Sequence, residues 1–374
     1  MRLSTESVTS SKDEPFRILD ANGRLIEGRT GPDLSDEQLV QMYEDMTFSR
    51  HFDERTVSLQ RQGRMGTYAP VAGHEGAQIG STYALDRDDW VLPTYRESAI
   101  PLARDVEPSE ILRYWKGYEE GNASLVAENV FPINIVIGSL IPHATGMGMA
   151  FKYRDDCSRA VVCHFGDGAT SEGDFHEALN FAGVFDTPNV FFCNNNQWAI
   201  SVPRDRQTAS DTIAQKAIAY GFDGVRVDGM DPLAVYRVTR DAIENAKRPE
   251  DDRKRPTLVE SVQYRFGAHT TADDPSVYRD DDELERWQRK DPIVRFEKFL
   301  RNTGRLDDER IDAVKTRNEE RMADAIEAVE RLDDPDPEEM FQNVYEELPS
   351  RLEEQFERLQ ELRDRHGDDE LLEG

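Results

Sequence analysis

Residues 161–196 read VVCHFGDGATSEGDFHEALNFAGVFDTPNVFFCNNN, and this stretch decides the fold. VVCHF before the glycines and VFF before the asparagines are runs of β-branched and aromatic residues, which predict two buried parallel strands. DFHEALNFAGVF between them predicts a crossover helix. The polar tips, Gly166-Asp167-Gly168 and Asn195-Asn196, then fall at the carboxyl ends of neighbouring strands, where open α/β sheets bind ligands. Asp167 and Asn196 stand 29 positions apart. A carboxylate, an amide oxygen and a free backbone carbonyl are hard ligands suited to Mg²⁺, which is usually held in part by its substrate's phosphates. Gly166 and Gly168 permit close approach of the backbone to a diphosphate. Taken alone, Asp167 could equally cap the next helix and Asn196 make a turn.

Outward from this unit, GVRVDG and TLVESVQYR supply further strands alternating with helical stretches such as PLAVYRVTRDAIENAKR. The alternation predicts an α/β fold built on a doubly wound parallel sheet. Residues 1–34 read as an N-terminal arm with a hairpin turn at Asn22-Gly23, and Ser35 caps a long helix. The α/β domain is expected over 35–305, with an acidic helical C-terminal segment over 306–374. That segment is interrupted by Asp333-Asp334-Pro335-Asp336-Pro337.

The 374 residues carry 46 Lys and Arg against 75 Asp and Glu, a net charge of −29. No basic face is left for nucleic acid. With four Trp and 17 Phe to build a core, the acidity predicts a solvated surface adapted to concentrated salt, and so a halophilic source. Cys157, Cys163 and Cys193 lack metal spacing and read as small buried hydrophobes in a reducing cytoplasm. The apolar stretch 130–150 is broken by Pro132, Asn134, Pro142 and His143, which argues against a membrane span. A phosphate-binding GxxxxGK[ST] loop is absent from the sequence, against an ATPase.

The GDG–NN pairing resembles the fingerprint of enzymes that use thiamine diphosphate (ThDP). RQGRMGTYAPVAGHEGAQIGS, LPTYRE, GDGATSEGDFHEALNFAGV, NNNQWAIS, VDGMDPLAVY, YRFGAHTTADDPSVYR and KDPIVRFEKFL follow in order. Together they resemble the alpha subunits of the decarboxylating component of 2-oxo acid dehydrogenase complexes, most closely the bacterial pyruvate dehydrogenase type. The resemblance implies ThDP and Mg²⁺ as cofactors. Asp167, Asn196 and the main-chain carbonyl of Trp198 would be the metal ligands. Tyr95 and Arg96 would hold the diphosphate, beside Gly166, Gly168 and Ala169. Arg suits that task because its fork gives a phosphate two hydrogen bonds. Ile137 corresponds to the bulky aliphatic that bends the cofactor. Thr67 stands at the substrate pocket where relatives carry Phe, so a bulkier acyl group is admissible. His269 matches the histidine that steers the acyl group to a lipoyl thiol, a transfer needing a proton shuttle near neutral pH.

The resemblance further implies a 2-oxo acid substrate, a beta subunit in a tetramer of two alpha and two beta chains, and a lipoyl-bearing acyltransferase core. Two departures stand out: Asn194, where relatives place Arg or Gln, and the GYEEGN segment (Gly117 to Asn122), where relatives carry histidines. His74, His143, His164 and His176 show no ligand spacing and read as structural. The alternatives are a branched-chain 2-oxo acid or acetoin dehydrogenase alpha subunit, or a catalytically idle paralogue.

Overall fold

Side-chain alternation along the apolar runs sorts their residues onto the two faces of one sheet. In the computed structural model, which describes residues 14–250, 253–332, 337–342 and 345–372, the strands are β1 (Trp90–Leu92), β2 (Val161–Gly166), β3 (Asn189–Asn195), β4 (Trp198–Ala199), β5 (Val202–Pro203), β6 (Asp223–Asp228) and β7 (Thr257–Val262). Five of them form a parallel sheet in the order β1-β2-β3-β7-β6. The short β4 and β5 pair antiparallel. Val162, Val190, Phe192, Val227 and Val259 point to one face. There they meet helices Asp36–Arg61, Glu75–Tyr83, Pro232–Lys247 and Pro292–Asn302. Val161, Cys163, Phe165, Phe191, Cys193 and Leu258 point to the other, against helices Leu140–Tyr153 and Gly173–Phe185. Helices on both faces make the sheet doubly wound, as the sequence predicts. Each fully buried side chain of this kind stabilises by about 1.5–3 kcal/mol.

Strand β1 is not anticipated by the sequence pattern. Three residues between Asp89 and Pro93 are too few to show a period. It is docked by a charge: buried Asp89 accepts from the Ala160 N–H at 2.8 Å and pairs with Lys247 at 2.8 Å.

The arm behaves as its turn residues dictate. Gly23 sits at φ +68°, and a Cβ there would lie 2.5 Å from the Phe299 nitrogen. Leu19 and Leu25 pair across the turn. The buried carboxylate of Asp231 accepts from the Ile18 and Leu19 N–H groups at 2.7 and 2.6 Å. Residues 1–13 of the expected arm lie outside the described residues. Ser35 and Gln38 form the reciprocal capping box at the start of helix Asp36–Arg61.

The chain divides into one unit ending at Glu327 and another from Ala328. The C-terminal segment is helical, with helices Asp308–Glu330, Glu339–Gln342, Ser350–His366 and Asp368–Leu372. Phe341 packs on Phe356 within the second unit, ring centres 5.2 Å apart. Most of the Asp-Pro interruption, 333–336, lies outside the described residues. Among the described residues no helix is long and apolar enough to cross a membrane.

Candidate active site

The carboxyl ends of β2 and β3 lie side by side, with Gly166 opposite Asn194 in register. Above them opens a cavity of about 540 Å³. Thr67, Tyr95, Arg96, Ile137, Gly166, Asp167, Gly168, Ala169, Asn196, Trp198 and His269 all line it. Every cofactor, metal, substrate and catalytic candidate read from the sequence is thus brought to one place, from segments as far apart as Thr67 and His269.

Asp167 opens a 3₁₀ turn, Asp167–Ser171, directly after β2. Its carboxyl is buried, and Oδ2 has no hydrogen-bond partner. Burial pushes its pKa up to about 6, while backbone N–H bonds and the nearby Arg265 pull the other way. An orphaned buried carboxylate oxygen is costly unless a cation completes it. After β3 the chain turns through Gln197, a non-glycine residue at φ +74°. Gln197 donates to both oxygens of Asn195, the backbone one at 3.1 Å and Oδ1 at 3.0 Å. Asn195 in turn donates to buried Glu260 at 2.8 Å. This turn brings Trp198 back to Asn196, whose Oδ1 accepts the Trp198 N–H at 3.1 Å. An Asp and an Asn oxygen therefore stand in the cavity lining, beside Gly166. A Cβ on Gly166 would meet nothing within 4 Å, so the glycine leaves room for a ligand. Among the described residues, no group of three or more His, Cys, Asp or Glu forms a ready-made metal cage. A cation here would depend on Asp167, on neutral oxygens and on its own anionic ligand.

The cavity lining also carries a cation, in a chain of strongly negative charge. Arg96 is buried and donates to the carbonyls of Pro70 and His269, both at 2.8 Å. Its second amine also reaches His269 Nδ1 at 3.1 Å. All three partners are neutral. Buried Arg265 contributes a longer contact to the same nitrogen at 3.4 Å and donates to Ile200 O and to the Tyr278 hydroxyl. A guanidinium has no acceptor, so Nδ1 of His269 must carry the lone pair and Nε2 the proton. Burial first, then Arg96 and Arg265, depress the His269 pKa to about 4. The ring is therefore neutral at pH 7. Its loop is tied down by its own side chains: Asp273 accepts from the His269 N–H and the Tyr278 hydroxyl, and Arg279 donates to the Arg265 and Gly267 carbonyls.

Ile137 is 46% exposed, in the exposed run Ile135-Val136-Ile137; it is a rim residue with no place in the core. Asn194 is buried and fully engaged, donating to Glu97 at 3.1 Å and accepting from Gln263 at 3.2 Å. Its amide is spent on the floor of the cavity. Glu119 and Glu120 of the GYEEGN segment lie exposed outside the lining, with Glu120 near Arg113. Sequence patterns carry no sign of Trp115, which lines the same cavity as Thr67 and whose ring meets the Tyr68 ring edge-on at 5.2 Å. Nor do they single out Arg265, or the contact of His74 with Asn196. Each is an ordinary residue type whose significance comes only from tertiary placement.

The family model for the dehydrogenase E1 component matches residues 43–338. A protein of Staphylococcus aureus named pyruvate dehydrogenase E1 component subunit alpha is 41% identical over 350 residues, 93% of each chain. A protein of the same name from Staphylococcus epidermidis is 39% identical over the same extent, again 93% of each chain.

Proposed function

The chain belongs to the dehydrogenase E1 component family, and from that membership we propose that it is the alpha subunit of a 2-oxo acid dehydrogenase acting on pyruvate. The family works with ThDP, alongside a beta subunit and a complex core. The observation that carries the reading is the convergence of all eleven motif residues on one cavity, with an unpartnered carboxylate oxygen and a guanidinium bonded to neutral groups both in its lining. A diphosphate–Mg²⁺ pair has the charges to meet both.

In this reading Asp167, the Asn196 amide oxygen and the Trp198 carbonyl hold Mg²⁺. Tyr95 and Arg96 hold the diphosphate beside Gly166, Gly168 and Ala169, and Ile137 supports the bend of the cofactor from the rim. ThDP, when bound, supplies the nucleophilic carbon and the electron sink for decarboxylation. His269, with Nε2 protonated, serves the proton traffic of acyl transfer to a lipoyl group carried by the acyltransferase. A bound anion offsets the charge of Arg96 and Arg265, and so raises the His269 pKa toward the range where the ring can shuttle a proton.

The partner is a beta subunit, in a tetramer of two alpha and two beta chains. The fold accounts for one nucleotide-type module, whereas activating the cofactor's pyrimidine needs a carboxylate from a second. The rim supports such a lid: Ile135, Val136, Ile200 and Val202 are all exposed at the cavity, an apolar patch that soluble surfaces seldom leave open. Co-expression with the beta subunit, then assay of pyruvate and branched 2-oxo acids with ThDP, Mg²⁺ and an artificial electron acceptor in concentrated KCl, tests the reading. Activity that disappears in Asp167→Ala supports it; no turnover of any 2-oxo acid by a ThDP-loaded tetramer sinks it.

Thr67 keeps the branched-chain alternative in play, since it is small. Trp115, packed on the adjacent residue Tyr68, lines the same cavity. Thr67→Phe is expected to lower kcat/KM for branched 2-oxo acids relative to pyruvate by on the order of tenfold, the worth of about one methylene or more in a closed pocket. An unchanged ratio on a substrate panel would remove Thr67 from the specificity pocket.

A further inference from the structure

His74 stands immediately ahead of helix Glu75–Tyr83. It is fully buried, does not line the cavity itself, and contacts Asn196, which does. Its Nδ1 is 2.8 Å from the Val71 carbonyl, and its Nε2 is 3.0 Å from Nδ2 of Asn196. The turn that presents it is closely fixed. Asp53 accepts from the Val71 and Ala72 N–H groups at 2.6 and 3.1 Å, and Glu75 accepts from the Gly73 N–H at 2.9 Å. Gly73 itself takes φ +95°, with the Tyr264 carbonyl 2.1 Å from where a Cβ would sit.

These contacts fix the polarity of the whole chain of groups. A carbonyl can only accept, so Nδ1 carries the proton. Nε2 faces an amide nitrogen at 3.0 Å, a group that only donates, so Nε2 accepts with a bare lone pair. That lone pair can only accept, which requires the NH₂ of Asn196 to face His74. The amide oxygen must then face away from it. The Trp198 N–H, 3.1 Å from Oδ1, gives the same orientation independently from the other end.

We propose that His74 is a positioning residue, whose Val71-fixed tautomer sets the Asn196 amide so that its oxygen is presented as a cation ligand. The inference rests on the assignment of Asn196 to the Mg²⁺ site. Without the acceptor on His74, nothing on that side opposes rotation of the amide, and a turned amide points two N–H donors at the cation. Outer partners of this kind are worth roughly 10- to 100-fold in metal affinity.

The test uses the co-expressed alpha–beta protein and measures Mg²⁺ and ThDP affinity by calorimetry, with the Tm of the ligand-free protein as a separate readout. His74→Gln keeps an acceptor facing Asn196, His74→Phe removes it, and His74→Lys offers only donors. Mg²⁺ affinity is expected to stay within about threefold of wild type in His74→Gln, and to fall roughly 10- to 100-fold in His74→Phe and His74→Lys. The kcat of these two recovers at saturating Mg²⁺. If one of them does not fold, the other is compared with His74→Gln. Equal Mg²⁺ affinity in wild type, His74→Gln and the folded acceptor-free variant overturns the proposal. So does an affinity loss that merely follows Tm across all variants. Failure of the wild-type protein to bind Mg²⁺ and ThDP at all would instead remove the underlying assignment of the site.

Discussion

Asp167→Asn is expected to make the ligand-free protein more stable at pH 8 and, at the same time, nearly inactive. The side chain is buried with one oxygen unpartnered, and burial lifts its pKa to about 6. An aspartate in an unfolded chain titrates near 4, so the folded state binds this proton more tightly than the unfolded one. The sign follows from that difference. As pH rises from about 4 through 6, the folded state loses stability, by about 2–3 kcal/mol once both states are ionised. The full cost is present at neutral and alkaline pH. Asn keeps the shape and removes the charge, so it should raise Tm at pH 8, and the gain should vanish below about pH 4. The same change removes the anionic ligand of the proposed Mg²⁺ site. Activity should fall by more than about 100-fold, since even outer-shell partners of a metal are worth up to that much. Thermal melts of ligand-free wild type and variant across pH 4–8, beside an activity assay, check both halves. A variant less stable than wild type at every pH would show that Asp167 is a structural cap after all.

This exchange of stability for function explains why some of the site is legible in the sequence and some is not. Gly166-Asp167-Gly168 and Asn195-Asn196 are out of place in a core by residue type, yet they follow runs that can only be core strands. That local conflict draws attention to them, while the cap and turn readings stay open until the surrounding motifs are added. The doubly wound sheet is readable for the related reason that β2, β3, β6 and β7 are long enough to show their pattern. β1 is too short, and the order that places β7 between β3 and β6 depends on which faces the helices cover. The roles of His74 and Arg265 stay hidden because nothing local is unusual about either residue. His74 acquires its role through a residue 122 positions away, and Trp115 through its place in the same cavity lining as Thr67. Asn194 carries the opposite lesson. The sequence shows it as a departure where relatives place Arg or Gln, and its amide is bonded to Glu97 and Gln263, so the neighbours decide.

Arg96 should prove the most sensitive of the cationic residues, and two substitutions separate its charge from its shape. The guanidinium spans Pro70 O, His269 O and His269 Nδ1 at once, and none of these neutralises it. Arg96→Lys retains a positive charge but cannot make the two-pronged bond to a phosphate or satisfy both carbonyls. Losing one or two charge-assisted bonds, at about 1.5–3 kcal/mol each, should weaken ThDP binding by between about tenfold and more than 1,000-fold. The His269 pKa should move little in that variant, because a cation remains near. Arg96→Met removes the charge as well. Arg96 is the larger of the two charges holding the ring neutral, after burial itself, so the His269 pKa should rise from about 4 toward its ordinary value. It will stop short of about 6.5, the unperturbed histidine value, because burial and Arg265 persist. Histidine NMR titration of the ligand-free protein reads the pKa, and calorimetry reads the ThDP affinity. If Arg96→Met leaves His269 titrating near 4, burial and Arg265 set its protonation state without Arg96. A diphosphate bound at Arg96 would then have no means of tuning His269 for proton transfer.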